Sequence, residues 1–152
     1  MGIEIKRCAI ADIVAAPELP ALLAEYGAES GNEGIGPVNP QFDTYLAMET
    51  AGMLHALSAR LENGQLVGFM LVLTPVLPHF GRRVAVSESF FVATAHRSTG
   101  AGLRLLRAAE CLARDAGAVG IMVSAPNGGQ LAQVLPGMGY HDASHVFFKG
   151  LA

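Results

Sequence analysis

Residues 92–102, VATAHRSTGAG, join a run of strand formers, Val84 to Val92, to a long amphipathic stretch that begins near Thr99. The join is a turn of small residues: Arg97, Ser98, Thr99, Gly100, Ala101 and Gly102. The first turn of a helix leaves four N–H donors without intrahelical partners, and the helix dipole adds partial positive charge there. Two glycines allow a ligand to approach that backbone, which suits a phosphate or pyrophosphate. An ordinary strand–turn–helix junction capped by Ser98 or Thr99 is the plain alternative.

Working outward, Thr99 to about Ala116 reads as a helix with Leu103, Leu106, Ala109 and Ala113 on one stripe and Gly117 as its stop. Val119 to Ser124 is a short apolar strand expected to run parallel to the strand before the helix. Asn127 can cap a last helix that stops at Pro136-Gly137, and Tyr140 to Lys149 reads as one or two final strands.

Upstream, Leu66 to Leu73 is apolar throughout and should be a central strand. It is joined to Leu54–Leu61 by an Asn63-Gly64 turn. Gly2 to Cys8 is a first strand, and a helix capped by Asp12 runs to Tyr26 with a break near Pro17 and Pro20. Gly27 to Val38 is a glycine-rich loop, and Asn39-Pro40 opens a second helix carrying Phe42 and Tyr45. The whole is one α/β domain over residues 1–152. It is expected to hold a mixed, mostly antiparallel sheet of six or seven strands with helices on both faces.

A chain of 152 residues, 51% hydrophobic and 15% charged, suits a single globular core. No apolar run is long enough to span a membrane. The N-terminus lacks a signal-peptide pattern, and Cys8 and Cys111 read as thiols rather than a disulfide framework, so a cytoplasmic protein is expected. Residues 1–62 carry nine acids against three bases (net −6), and residues 63–152 four acids against seven bases (net +3). The basic half contains the turn and suits a polyanionic ligand, but its arginines are too few and scattered for nucleic acid. The histidines and cysteines show no metal-ligand spacing, so no metal is expected. Ser87 and Ser124 are not set in a Gly-x-Ser-x-Gly elbow, and Leu105 stands where a dinucleotide fingerprint needs glycine or alanine.

The pattern Val92-x-Thr94-x-His96-Arg97-x-x-Gly100-x-Gly102, with Met138-Gly139-Tyr140 near the end, resembles the acyl-CoA-binding motif of the GNAT family of N-acetyltransferases. The order of elements over essentially the whole chain is similar too. The resemblance implies that acetyl-CoA is the co-substrate, with its pyrophosphate on the N–H groups of Arg97, Ser98, Thr99, Gly100, Ala101 and Gly102. Phe91, Val92 and Ala93 would then line its pantetheine arm, added to the strand edge in a cleft between splayed strands. Asn127 matches a position that hydrogen-bonds the same arm, and a plain N-cap is its equal alternative. The position of the family's tyrosine acid is occupied by Leu135. A CoA-binding module without catalysis is therefore the second reading beside transfer to a small-molecule or protein amine.

Transfer to an amine needs a base, and Glu88 is the one carboxylate on the expected face Val84, Val86, Phe90, Val92. Desolvation there would suit base work, whereas pairing with Arg82 or Arg83 would make Glu88 structural. His79 could reach the acceptor end, and the loop carrying Glu29 and Glu33 could receive a cationic amine. Pro75 to Phe80 and the final strands could support a homodimer.

Overall fold

The computed structural model describes residues 2–151. Its main sheet has five strands in the order β1 (Ile3–Cys8), β2 (Leu54–Leu61), β3 (Leu66–Leu73), β6 (Ala85–Val92) and β7 (Ile121–Met122). The first three pairings are antiparallel and β6–β7 is parallel. β3 is central and buried on both faces, as its unbroken apolar run requires. Between β3 and β6, β4 (Val76–Leu77) and β5 (Arg82–Arg83) form a separate two-stranded piece.

Helices cover both faces. On one lie α1 (Ile10–Val14), α2 (Leu19–Ser30) and α3 (Phe42–Thr50), and the α1–α2 break falls at Pro17. On the other lies α4 (Ala101–Asp115), whose buried stripe is Ala101, Leu105, Leu106, Ala109, Leu112 and Ala113. Leu103, expected on that stripe, is exposed. The helix starts two residues later than expected, and its contact face is the one containing Leu105. After Ala116, Gly117 at φ +82° ends α4, with Ala118 N–H on the Ala113 carbonyl and Gly117 N–H on that of Arg114. A short helix, α5 (Gln130–Val134), and the 3-10 turn Leu135–Met138 follow.

Three expectations need correction. The main sheet has five strands, not six or seven, because 140–151 forms none: Val146 and Phe147 are each 92% exposed, and two-residue β7 offers almost no edge to extend. Gly27–Ser30 belongs to α2, since the Gly27 carbonyl accepts the Gly31 N–H and Val38 returns to pack on Gly27. β6 does not keep one alternation. Leu71 lies opposite Ser89 while Val72 lies opposite Ser87, so Glu88 is the extra residue of a β-bulge. After the bulge, Phe90 and Val92 pack with Ala85 on the α4 side, and Phe91 and Ala93 on the α2 side.

Candidate active site

β6 and β7 part almost as soon as they meet. Their pairs are Ala85–Ile121 and Val86–Met122 alone, and at the next step the Ser124 N–H donates to the Ser87 hydroxyl instead of a backbone carbonyl (3.1 Å). From Glu88 to Val92 the edge of β6 away from β3 has no strand partner among the described residues. The Ala93 N–H donates to the Val67 carbonyl, so by antiparallel register Phe91 also pairs inward, while Phe90 and Val92 direct their amides outward. Phe91, Val92 and Ala93 are buried, and of the three only Val92 turns its N–H to this edge. Gly68 opposite Val92 allows the close approach: a Cβ there would lie 2.9 Å from the Phe91 carbonyl oxygen.

At the upper end of the edge the chain makes a 3-10 helix, Thr94–Thr99, then turns at Gly100 (φ +82°) into α4. The first intrahelical bond of α4 runs from Arg104 N–H to the Gly100 carbonyl, so the N–H groups of Ala101, Gly102 and Leu103 have no partner within that helix. Thr99 accepts the Ala101 N–H through its hydroxyl (3.3 Å), but the residue at the helix N-cap is Gly100, not Ser98 or Thr99. Residues Thr94 to Gly100 are exposed or nearly so, and Gly102 sits over Phe90 and Val92 without a clash. Backbone donors at a helix N-terminus are groups able to hold a phosphate.

The Arg97 side chain does a different job. Its Nε donates to the Val92 carbonyl (2.9 Å), its two terminal nitrogens grip the Glu29 carboxylate (2.9 and 2.5 Å), and its guanidinium lies 5.2 Å from the Phe91 ring centre. One turn earlier on α2, Glu25 accepts both the N–H and the hydroxyl of Thr94 (3.1 and 3.0 Å). Glu29 is thus helical and paired, and does not serve as a free loop acid for a cationic amine. The Arg97 hydrogen bonds hold the Glu29 carboxyl below its ordinary 4.5. A group whose folded pKa is depressed stabilises the fold above the unfolded value, and that contribution is lost as pH falls through the folded one. Glu29→Gln should therefore lower Tm by about 1–3 °C at neutral pH, as for a surface ion pair. In a thermal-melt series, the gap to wild type should close as pH falls below 4.5.

At the bulge, Glu88 faces a cleft of about 230 Å³ between the sheet and helices α1–α3. It is exposed and does not sit among Val84, Val86, Phe90 and Val92; the expected desolvation is corrected by the bulge, which turns its side chain to the other face. No arginine pairs with it among the described residues, and Arg83 donates instead to the Thr74 carbonyl. Its partner is the Tyr45 hydroxyl, which donates to Oε1 at 2.8 Å. Burial and Glu88 together push the Tyr45 pKa well up, so it keeps its proton. Tyr26, stacked on Phe91 at 5.4 Å and edge-on to Phe69 at 6.2 Å, is raised too, by burial first and the Glu88 charge second. Beside them the Ser89 hydroxyl is buried and has no hydrogen-bond partner among the described residues.

Tyr26, Tyr45 and Ser89 were not singled out from sequence as site residues. The available signal was that two of the chain's three tyrosines fall among the apolar residues of helices expected to cover the sheet. Asn127 is not brought into this group. It is exposed in the turn Pro126–Gly129, where Gly129 N–H meets the Pro126 carbonyl, and α5 is capped by Gly129. Leu135 is 7% exposed in the α4-side core. His79 packs against Phe80 in the exposed β4–β5 connection, outside the cleft. Among the described residues no three His, Cys, Asp or Glu side chains are grouped to hold a metal, and no helix is long and apolar enough to cross a membrane.

A model of the acetyltransferase (GNAT) family matches residues 21–132. No curated protein matches the chain. Solved structures with the same fold include a ribosomal-protein-alanine N-acetyltransferase from Brucella melitensis biovar Abortus 2308 (21% identity, TM-score 0.70, 98% of each chain). An aminoglycoside acetyltransferase from an uncultured soil metagenomic sample is similar at 21% identity and TM-score 0.74 over 100% of both chains. Glucosamine-6-phosphate N-acetyltransferase from Arabidopsis thaliana is similar at 11% identity and TM-score 0.71 over 100% of both chains. At these identities the likeness is one of fold.

Proposed function

The chain belongs to the acetyltransferase (GNAT) family, and from that premise we propose that it is an N-acetyltransferase moving the acetyl group of acetyl-CoA to an amine by direct attack in a ternary complex. The observation that carries the reading is the parting of β6 and β7, which leaves one continuous edge from the bulge at Glu88 to the helix N-terminus at Gly100. The thioester supplies an activated acetyl group whose sulfur can leave. The rest is done by the chain. The turn of residues 97–102 holds the pyrophosphate through its N–H donors. The outward N–H groups of Phe90 and Val92 hold the pantetheine arm as an added strand and can donate to the acetyl oxygen as charge builds there.

Glu88 takes the proton of the attacking ammonium, directly or through one water. The Tyr45 hydroxyl fixes the carboxylate by bonding Oε1, which leaves Oε2 for the amine. A carboxylate held this way in the cleft supports catalysis over a module that only binds CoA. Acceptors named for proteins of similar fold, an aminoglycoside, glucosamine 6-phosphate and a protein alanine, are all amines, which accords with an amine acceptor here.

The test is a thermal melt with millimolar acetyl-CoA followed by thiol release on adding amines. A ligand present well above its Kd should raise Tm by several degrees. No shift with acetyl-CoA would refute the proposal.

A further inference from the structure

The cleft below Glu88 says more about the acceptor than the family does. Its walls are Ile13, Leu19, Leu23, Phe42, Phe69 and Leu71, apolar side chains contributed by three helices and the central strand. Among the described residues Glu88 is the single charged one in its lining. The neighbouring acids are already engaged, Glu25 with Thr94 and Glu29 with Arg97. No lysine or arginine among the described residues lines the space. A volume of about 230 Å³ equals roughly eight waters at ~30 Å³ each, room for a body on the order of ten non-hydrogen atoms. Val38, Asn39 and Pro40 from the α2–α3 loop close one side, and Val38 is packed down on Gly27.

Polar groups at the head of the cleft are equally selective. Among the described residues Oε2 of Glu88 makes no hydrogen bond, and the buried Ser89 hydroxyl has no partner. An ammonium carries three N–H donors, and these two oxygens on adjacent residues can accept two of them. A buried hydroxyl left unpaired is unfavourable, so an N–H that reaches it is favoured by more than its own hydrogen bond. We propose that the acceptor is a primary monoamine on a small aliphatic or aryl body, held by Glu88 and Ser89 at its nitrogen and by the apolar walls beyond. The inference rests on the N-acetyltransferase reading above. A second ammonium or a phosphate on the acceptor would enter an apolar space with no counter-charge and be strongly disfavoured.

The experiment measures thiol release from acetyl-CoA with five acceptors: 2-phenylethylamine, hexylamine, kanamycin, glucosamine 6-phosphate and a heptapeptide ending in alanine at its N-terminus. The two monoamines should show kcat/KM about 100-fold or more above the others, given the penalty on uncompensated charge. Ser89→Ala should raise KM for 2-phenylethylamine roughly 5- to 10-fold. It should leave Tm unchanged or higher, because it removes a buried group that has no partner. Preference for kanamycin, the sugar phosphate or the peptide overturns the acceptor class and leaves acetyl transfer intact. An acetyl-CoA melting shift with no turnover of any of the five also overturns it. Absence of both the shift and turnover means the N-acetyltransferase reading itself has failed.

Discussion

Glu88→Gln is expected to lower kcat/KM about 10²- to 10³-fold at neutral pH while leaving the acetyl-CoA melting shift as it is in wild type. The substitution keeps the size of the side chain and still lets an amide oxygen accept the Tyr45 hydroxyl. What it removes is the capacity to take a proton. At neutral pH an alkylamine is almost wholly protonated and has no lone pair with which to attack, so the loss falls on the step that makes the nucleophile. The deficit should therefore narrow as pH rises toward the pKa of the amine, where free base is supplied by solvent. Tyr45→Phe should cost less, about 10-fold, because it loosens the carboxylate without removing it. A loss under threefold for Glu88→Gln, or a deficit that does not change with pH, would remove Glu88 from the chemistry. Its exposed position makes the test clean: no core packing depends on it, so Tm should hardly move.

That residue also marks where sequence reading stops. Local patterns were strong along β1, β2 and β3, at the Asn63-Gly64 turn, at the Pro17 break and at the strand–turn–helix around Gly100, and the structure has each of them. A β-bulge leaves no such pattern. The residues Val84, Val86, Glu88, Phe90 and Val92 alternate perfectly on paper, and only the pairing with β3 reveals that one residue of β6 is extra. The alternation therefore puts Glu88 on the wrong face of the sheet. Tyr45 was invisible as its partner for a related reason: the two are 43 positions apart and meet because α3 and β6 lie across the same space. The exact contact face of α4 was also hidden, since Leu103, Leu105 and Leu106 are equally apolar and tertiary packing chose among them. At the C-terminus Val146-Phe147-Phe148 has strong strand propensity, yet a strand needs a neighbour and β7 is too short to supply one.

Ser98→Glu should weaken acetyl-CoA binding roughly 10- to 100-fold. Ser98 is exposed in the 3-10 helix just before Gly100, and its side chain takes part in no described hydrogen bond, so the fold loses little. The new carboxylate stands by the N–H groups proposed to hold the pyrophosphate. A like charge at ~6 Å costs about 0.7–3 kcal/mol for effective dielectrics of 80 to 20, and pyrophosphate carries two such charges. It also competes intramolecularly for the same donors at the helix N-terminus. Two controls separate charge from bulk. Ser98→Gln, of equal size, should bind acetyl-CoA almost as wild type does. Raising the salt to about 0.5 M, where screening acts within roughly 4–5 Å, should shrink the Glu deficit. Equal losses for Gln and Glu would mean that the turn is merely crowded, and no loss for Glu would mean that the pyrophosphate lies elsewhere. Glu88→Gln and Ser98→Glu then form a cross: the first should spare acetyl-CoA binding and damage turnover, and the second should raise KM for acetyl-CoA and leave kcat at saturation close to wild type. That crossing can arise only if the two ends of the β6 edge do different work on one substrate pair.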